Sequence, residues 1–504
     1  MSNLALNLVT GARQWPDRIA TRVDRHTLTY TELDAAAART AAFLTAAGIE
    51  PGDRVGLMLP NTAAVPVAFY GILRLGAVVV PMNPLMRARE VEFYLTNTDA
   101  RALFGTPDFA DAATTACAAT GTRCWIVDDA ELDSLTADLE PFGAPVECAD
   151  ADTAVILHTS GTTGRPKGAE LTHGGLGSNQ DVTARTLLHL TPEDVVLGCL
   201  PLFHVFGMTC GMNATLASGA TLTLLPRFDA ATALEIIRRD GVTVFEGVPT
   251  MYSALLAVAE RFPPEATATL RTCVSGGAAL PVQVLHEFEK AFEAEILEGY
   301  GLSETSPVVA FNHPGTQRKP GSIGTPVEGV RMRLVDEHGM ETPPGEPGEI
   351  QVRGPNVMKG YWNQSEATEA AIRDGWLATG DIARRDDDGY YFIIDRKKEL
   401  IIRGGYNVYP REVEEVLYQH PAVAEAVVVG LPHAQLGEEV GAAVVLKPGA
   451  QADPDELRVF VRDRIAAYKY PRRVWFAASL PKGPTGKILR RAVERPDFPE
   501  FKET

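Results

Sequence analysis

No stretch of the 504 residues is apolar for long enough to span a bilayer, and the N-terminus, MSNLALNLVTGARQWPDR, has no basic segment leading into an apolar core. Neither a membrane span nor a secretory leader is expected, and the chain reads as soluble and cytoplasmic. Positive charge is in deficit as well. With 47 Lys+Arg against 65 Asp+Glu, the net charge is −18, which leaves no cationic surplus for nucleic acid or an anionic membrane. Cysteine is sparse: Cys117, Cys124, Cys148, Cys199, Cys210 and Cys273 fall without CxxC or metal-ligand spacing, so they read as free thiols. There is no internal repeat and no low-complexity tract. Two catalytic signatures are also missing. Without a Walker A loop the kinase and GTPase reading fails, and without a GxSxG elbow a serine nucleophile is not expected.

What the chain does have is length and apolar content. At 45% apolar and 22% charged over 504 residues, it exceeds what one core organises, so two or more domains are expected. From Thr27 apolar runs alternate with helical stretches: TLTY, an Ala-rich segment from Glu32 to Ala47, DRVGLML, AVPVAFYGILRLG, AVVVPMNP, VEFYLTNT, ALFGT and CWIVDD. Strand, helix, strand is the rhythm of a mostly parallel sheet, hence an α/β fold. From Gly321 the texture shifts to short strands with glycine and proline turns, which predicts a small β-rich subdomain. The final hundred-odd residues alternate EVEEVLYQ, AEAVVVGL, GAAVVLK and PDELRVFVRDRIAAY, the pattern of a separate α+β lid. Charge divides the same way. Residues 397–504 hold 17 Lys+Arg against 15 Asp+Glu, while the preceding 396 carry −20. Either a solvated face or a tail suited to polyanions produces such a balance.

Several motifs interrupt this rhythm. In TAVILHTSGTTGRPKG, Thr153 to Gly168, a buried strand runs into hydroxyls (Thr159, Ser160, Thr162, Thr163), glycines (Gly161, Gly164) and Lys167. Glycines let backbone N–H groups approach an anion, hydroxyls add donors and the lysine adds charge. Composition alone fits an ordinary turn equally well. PLFHVFG places His204 in an apolar setting, where a satisfied core histidine is the commoner case. Small residues end two further segments, Gly276-Gly277-Ala278 and Gly299-Tyr300-Gly301, the latter followed by Glu304-Thr305. A Thr-Gly-Asp segment carries Asp381, whose carboxylate can serve a plain turn or accept hydrogen bonds from a ribose diol. The chain closes on DRKKELIIRGGYN and LPKGPTGKILRR.

TSGTTGRPKG and these motifs, in this order from about Thr27 to Arg491, resemble the adenylate-forming enzymes: acyl-CoA synthetases, peptide-synthetase adenylation domains and firefly-type luciferases. The nearest look is that of bacterial fatty-acyl-CoA ligases. The resemblance implies a large AMP-binding domain over residues 1–396, its β-rich part at about 321–396, and a mobile lid over 397–504. It assigns ATP and AMP to the loop Thr159–Gly164, Lys167, Gly277, Ala278, Glu298, Gly299, Tyr300, Gly301, Asp381, Ile393 and Arg396. Magnesium falls to Glu304, phosphate contact to Thr305, the hinge to Lys398 and the catalytic lysine to Lys487. His204 is expected at the mouth of an acyl pocket walled by Phe203, Val205, Phe206, Pro249 and Val308. Gly404, Gly405 and Arg472 are expected on the coenzyme A path. The expected partners are a small carboxylic acid and coenzyme A, an acyl carrier protein being the alternative acceptor, with the oligomeric state left open. An inactive nucleotide-binding regulator is the alternative from another class.

Overall fold

The computed structural model describes residues 3–159, 166–263, 267–396, 399–433, 435–483 and 486–496. Two large sheets build the body. In one, Arg54–Met58, Val78–Pro81, Ala100–Gly105, Arg123–Ile126 and Thr153–Thr159 run parallel, and Lys167–Thr172 and Gly360–Tyr361 extend it antiparallel. The Val78–Pro81 strand is buried throughout, which is why it reads as a continuous apolar run and not an alternation. The second sheet has nine strands. Its parallel interior comprises Ile19–Val23, Thr221–Leu224, Val195–Gly198, Val244–Gly247, Thr272–Ser275 and Ile296–Gly301; antiparallel strands form its edges. Helix Tyr30–Ala46 begins at a capping box between Thr29 and Glu32 and buries Leu33, Ala37, Ala41 and Leu44 at helical spacing.

A third sheet of five strands lies between Arg331–Val335 and Tyr391–Arg396. The fourth, also of five strands, spans Ile401–Arg403 to Arg473–Phe476, with helices Pro410–Tyr418 and Pro454–Arg462 packed on it. The α/β body, the β-rich part after Gly321 and the C-terminal domain of helices on a sheet are thus as the sequence implied. Among the described residues no apolar cluster has members on both sides of the 396–401 junction, and no helix is long and apolar enough to cross a membrane. All six cysteines are free.

Local readings differ in four places. The strand Ile19–Val23 was not anticipated, because IATRV has no clean alternation; its partner Thr221–Leu224 comes from far along the chain. Pro249, which closes the apolar run GVTVFEGVP, opens helix Pro249–Val258 and does not end a strand, its fixed φ suiting the first helical turn. Asp381 lies within strand Trp376–Arg385, at a bulge where Gly380 (φ 74°) and its neighbours leave three residues opposite Ile350. Finally, the apolar stretch after His204 forms a wide π-helical turn, Phe206–Asn213.

Candidate active site

Strand ends of the nine-stranded sheet converge with the bulged strand and the C-terminal domain on a cavity of about 230 Å³. Gly277, Ala278, Glu298, Gly299, Tyr300, Gly301, Asp381, Ile393, Arg396 and Lys487 all line it, and so does Pro249. Gly277 adopts φ 78°, a conformation other residues reach only with strain, and so turns the chain away at the end of Thr272–Ser275. The Tyr300 hydroxyl donates to Asp381 Oδ2 at 2.6 Å, and Arg396 Nε meets Oδ1 at 2.9 Å. Each carboxylate oxygen keeps a further lone pair for a diol. Glu298 is buried beneath the adjoining turn. Its Oε1 accepts from the Leu280 N–H at 3.2 Å, its Oε2 has no partner, and burial pushes its pKa up to about 7.

Lys487 enters from the lid. Burial and then the nearby Arg396 charge lower its pKa, so the cavity concentrates cation where an anion would be welcome. His204 is pushed down to about 4 by desolvation, with Lys487 adding to the effect, so its ring is neutral at neutral pH. The His204 Nδ1 accepts from the Phe206 N–H at 3.3 Å, which puts the ring proton on Nε2.

A second cluster sits at the end of the antiparallel extension. Glu304 Oε1 accepts from Thr159 at 3.2 Å and from the Tyr361 hydroxyl at 3.0 Å, while Lys167 Nζ lies 5.0 Å from the Tyr361 ring centre. Glu304 Oε2 makes no hydrogen bond to the described residues. A hard oxygen donor of this kind suits magnesium, which keeps several waters and takes its other ligands from phosphate. Tyr361 was missed in the sequence although KGYWN precedes a visible turn; nothing in its spacing links it to Glu304, 57 positions away.

Some expected residues stand elsewhere. The Thr305 hydroxyl is buried and donates to the Pro307 carbonyl at 2.6 Å, so it braces the turn carrying Glu304 and does not face the cavity. Val205 and Val308 are buried in separate apolar clusters and line no part of the cavity. Phe206 packs over Gly276, where a Cβ would meet its ring at 2.9 Å. Phe203 is partly buried beside His204. Gly404 and Gly405, at φ 56° and 84°, are exposed on the lid, and Arg472 stacks 3.6 Å from the Tyr470 ring centre. None of these three lines the cavity. Ser160, Gly161, Thr162, Thr163, Gly164 and Lys398 lie outside the described residues.

Residues 8–362 match the AMP-binding enzyme family, and residues 412–487 match the AMP-binding enzyme C-terminal domain. The chain belongs to the AMP-binding enzyme family. It is 39% identical to a long-chain-fatty-acid–CoA ligase of Bacillus subtilis (strain 168), over 96% of this chain and 93% of that one. It is 41% identical to a feruloyl-CoA synthase of Amycolatopsis, over 97% of each. Among solved structures it resembles ATP-bound MatB from Rhodopseudomonas palustris at 34% identity, covering 97% of each chain, with a TM-score of 0.92; the apo form of that protein scores 0.82. This AMP-binding enzyme is accordingly an acid–thiol ligase of the AMP-forming kind.

Among the described residues several polar contacts seat the C-terminal domain. Thr250 donates to the Gly486 carbonyl at 3.1 Å, Arg411 Nη1 to the Ile393 carbonyl at 2.9 Å, and Lys447 lies 3.7 Å from Glu287. Arg490 reaches Asp395 at 3.4 Å across the junction and Glu399 and Glu414 at 2.7 and 2.8 Å on its own side. The sequence offered no signal for Arg490 beyond its place three residues after Lys487.

Proposed function

We propose that the enzyme activates an apolar, fatty-type carboxylic acid as its adenylate and passes the acyl group to coenzyme A, releasing AMP and pyrophosphate. The observation that carries this reading is the presence of Lys487 in one cavity with Tyr300, Asp381 and Arg396. A carboxylate is a poor electrophile, and joining it to AMP supplies a leaving group. Its attack on the α-phosphorus brings two anions together, so catalysis is chiefly alignment and placed cation. Lys487 would bridge carboxylate and α-phosphate, the Thr159–Gly164 loop and Lys167 would hold the triphosphate, and Tyr300 and Asp381 would seat the nucleoside. Magnesium at Glu304 would neutralise charge on the pyrophosphate.

In the second half-reaction a thiol attacks the acyl carbon and AMP departs. The lid would turn about Lys398, taking residues 397–504 as one body and bringing Gly404, Gly405 and Arg472 to the thiol path. Coenzyme A is favoured over a carrier-protein phosphopantetheine because the N-terminal domain shows no obvious extra insertion. An inactive nucleotide-binding regulator is disfavoured by the presence of Lys487, Glu304 and Arg396. The apolar acid rests on Pro249 in the cavity wall and on the partly buried Phe203 and Phe206 beside His204, none of which brings a cation. A second carboxylate there would be buried unpaired, at a cost of several kcal/mol.

The test is pyrophosphate release with ATP and coenzyme A over a panel of acids. Hexanoate through dodecanoate should be activated, and preference for malonate would overturn the assignment of acid class.

A further inference from the structure

Among the described residues two buried glutamates keep a carboxylate oxygen without a hydrogen-bond partner, Glu246 at Oε1 and Glu298 at Oε2. Glu246 is enclosed inside the nine-stranded sheet on Val244–Gly247 and does not line the nucleotide cavity; Glu298 does. A buried oxygen of this kind is costly unless a nearby charge offsets it. After burial itself, the two charges that act on the Glu298 proton are Arg411, which draws the pKa down, and Glu415, which pushes it up. Both belong to the C-terminal domain, and both line the cavity that holds Lys487.

Arg411 and Glu415 stand one turn apart on helix Pro410–Tyr418 and so share a face. That face is turned to the N-terminal domain. Arg411 Nη1 donates to the Ile393 carbonyl at 2.9 Å and Nη2 to the Gly321 carbonyl at 3.5 Å, while the Arg411 backbone N–H donates to Asp395 Oδ2 at 3.1 Å. Its Nε lies 3.8 Å from Glu415. Burial raises the Glu415 pKa, and Arg411 and the backbone N–H of Val282 work against that rise. Val282 opens helix Val282–Phe292, whose N-cap, Pro281, has no side-chain oxygen to offer. Glu415 thus brings from another domain the negative charge that this helix start lacks. The same helix carries Glu287, 3.7 Å from Lys447, but those side chains are 39% and 43% exposed, against 13% for Arg411 and 29% for Glu415. An exposed pair contributes little, so the Arg411 face is the stronger hold.

We infer that Arg411 and Glu415 are positioning residues that latch the C-terminal domain in the orientation that places Lys487 in the cavity. This inference rests on the acyl-activating reading above, with its two lid orientations, and names what holds the first of them. Both side chains follow the 396–401 junction, whereas Gly321, Ile393 and Val282 precede it, so a rotation about residue 398 breaks all these contacts together. The same rotation takes the Arg411 charge away from Glu298. Neither side chain meets the reacting atoms; they act through Lys487.

The two half-reactions, measured on one preparation, test it. The first is adenylate formation from MgATP and octanoate, or the panel acid activated fastest, read as pyrophosphate release. The second is thioester formation from the corresponding synthetic acyl-adenylate and coenzyme A. Arg411→Ala should slow the first about tenfold, the loss expected for hydrogen bonds from a charged donor, and leave the second at the wild-type rate or faster. Arg411→Lys should recover part of the loss, because an ammonium keeps the charge but not the fork. Glu415→Ala should act in the same direction, and the double variant should lose less than the product of the two single losses, since both groups hold one face. If Arg411→Ala fails to fold, Glu415→Gln carries the test: it keeps the shape, drops the charge and should slow adenylation alone. Equal falls in both half-reactions, or full-rate adenylation in the variants, overturns the inference and leaves acyl activation standing. Failure of the wild type in both half-reactions across the whole acid panel would remove the acyl-activating reading and the latch with it.

Discussion

The Thr250 hydroxyl donates a 3.1 Å hydrogen bond to the Gly486 carbonyl, so the first turn of a body helix holds the residue next to Lys487. Gly486 has φ 78°, and a Cβ there would meet Thr250 Oγ1 at 2.9 Å. The lysine is therefore delivered by a close backbone approach that only glycine permits without strain.

Thr250→Val should loosen that delivery. One hydrogen bond is worth about 1 kcal/mol, so adenylate formation should slow about fivefold. Thioester formation from synthetic acyl-adenylate should be unchanged. Measuring both half-reactions on one preparation checks this, and an equal fall in both would assign Thr250 to folding alone.

Lys487→Ala removes a cation from the approach of two anions. By analogy with a lost oxyanion-hole donor, adenylation should fall about 10²–10³-fold. Given preformed acyl-adenylate and coenzyme A, the variant should make thioester near the wild-type rate. Full ATP-dependent activity would sink the role given to Lys487.

Glu246→Gln should stabilise the fold, increasingly as pH rises. The folded carboxyl holds its proton to about pH 8, against an ordinary value of 4.5. The wild type therefore keeps its full stability below pH 4.5 and loses it as pH climbs towards 8, because the unfolded chain ionises first. The amide has no such dependence. Urea unfolding from pH 5 to 8 should show a gain that grows to a few kcal/mol at most; a constant gain would mean that Glu246 is not buried unpaired.

Arg490→Leu strips a cation from Asp395, Glu399 and Glu414. Asp395 and Glu414 are already raised by burial, and without the arginine they would be left as uncompensated carboxyls, a loss of about 3 kcal/mol. Scanning calorimetry should show the C-terminal domain melting earlier, with the N-terminal transition little moved.

Much of this was legible because the chemistry needs short, contiguous motifs. Tyr300, Asp381, Arg396 and Lys487 each lie in such a motif, and strands such as Val78–Pro81 announce themselves by apolar runs. What escaped depends on packing between distant segments. Tyr361 reaches Glu304 through the pairing of Gly360–Tyr361 with the Lys167–Thr172 strand, a register that no local pattern encodes. Glu246 reads as one polar letter in an apolar strand, and only its lack of a partner in three dimensions distinguishes it. Thr305 shows the converse, since its motif marks the turn correctly but not which way the hydroxyl points.

The polar seam between the body and the C-terminal domain sets how the proposed rotation should respond to conditions. Opening a contact made of ion pairs and single hydrogen bonds exposes little apolar surface, so the heat-capacity change on opening is small. The equilibrium between lid orientations should therefore vary little in curvature with temperature. Salt acts differently, because the charges at Arg490, Asp395, Lys447 and Glu287 are screened over about 8–10 Å at ordinary ionic strength. Ionic strength, more than heat, should therefore shift the proposed rotation.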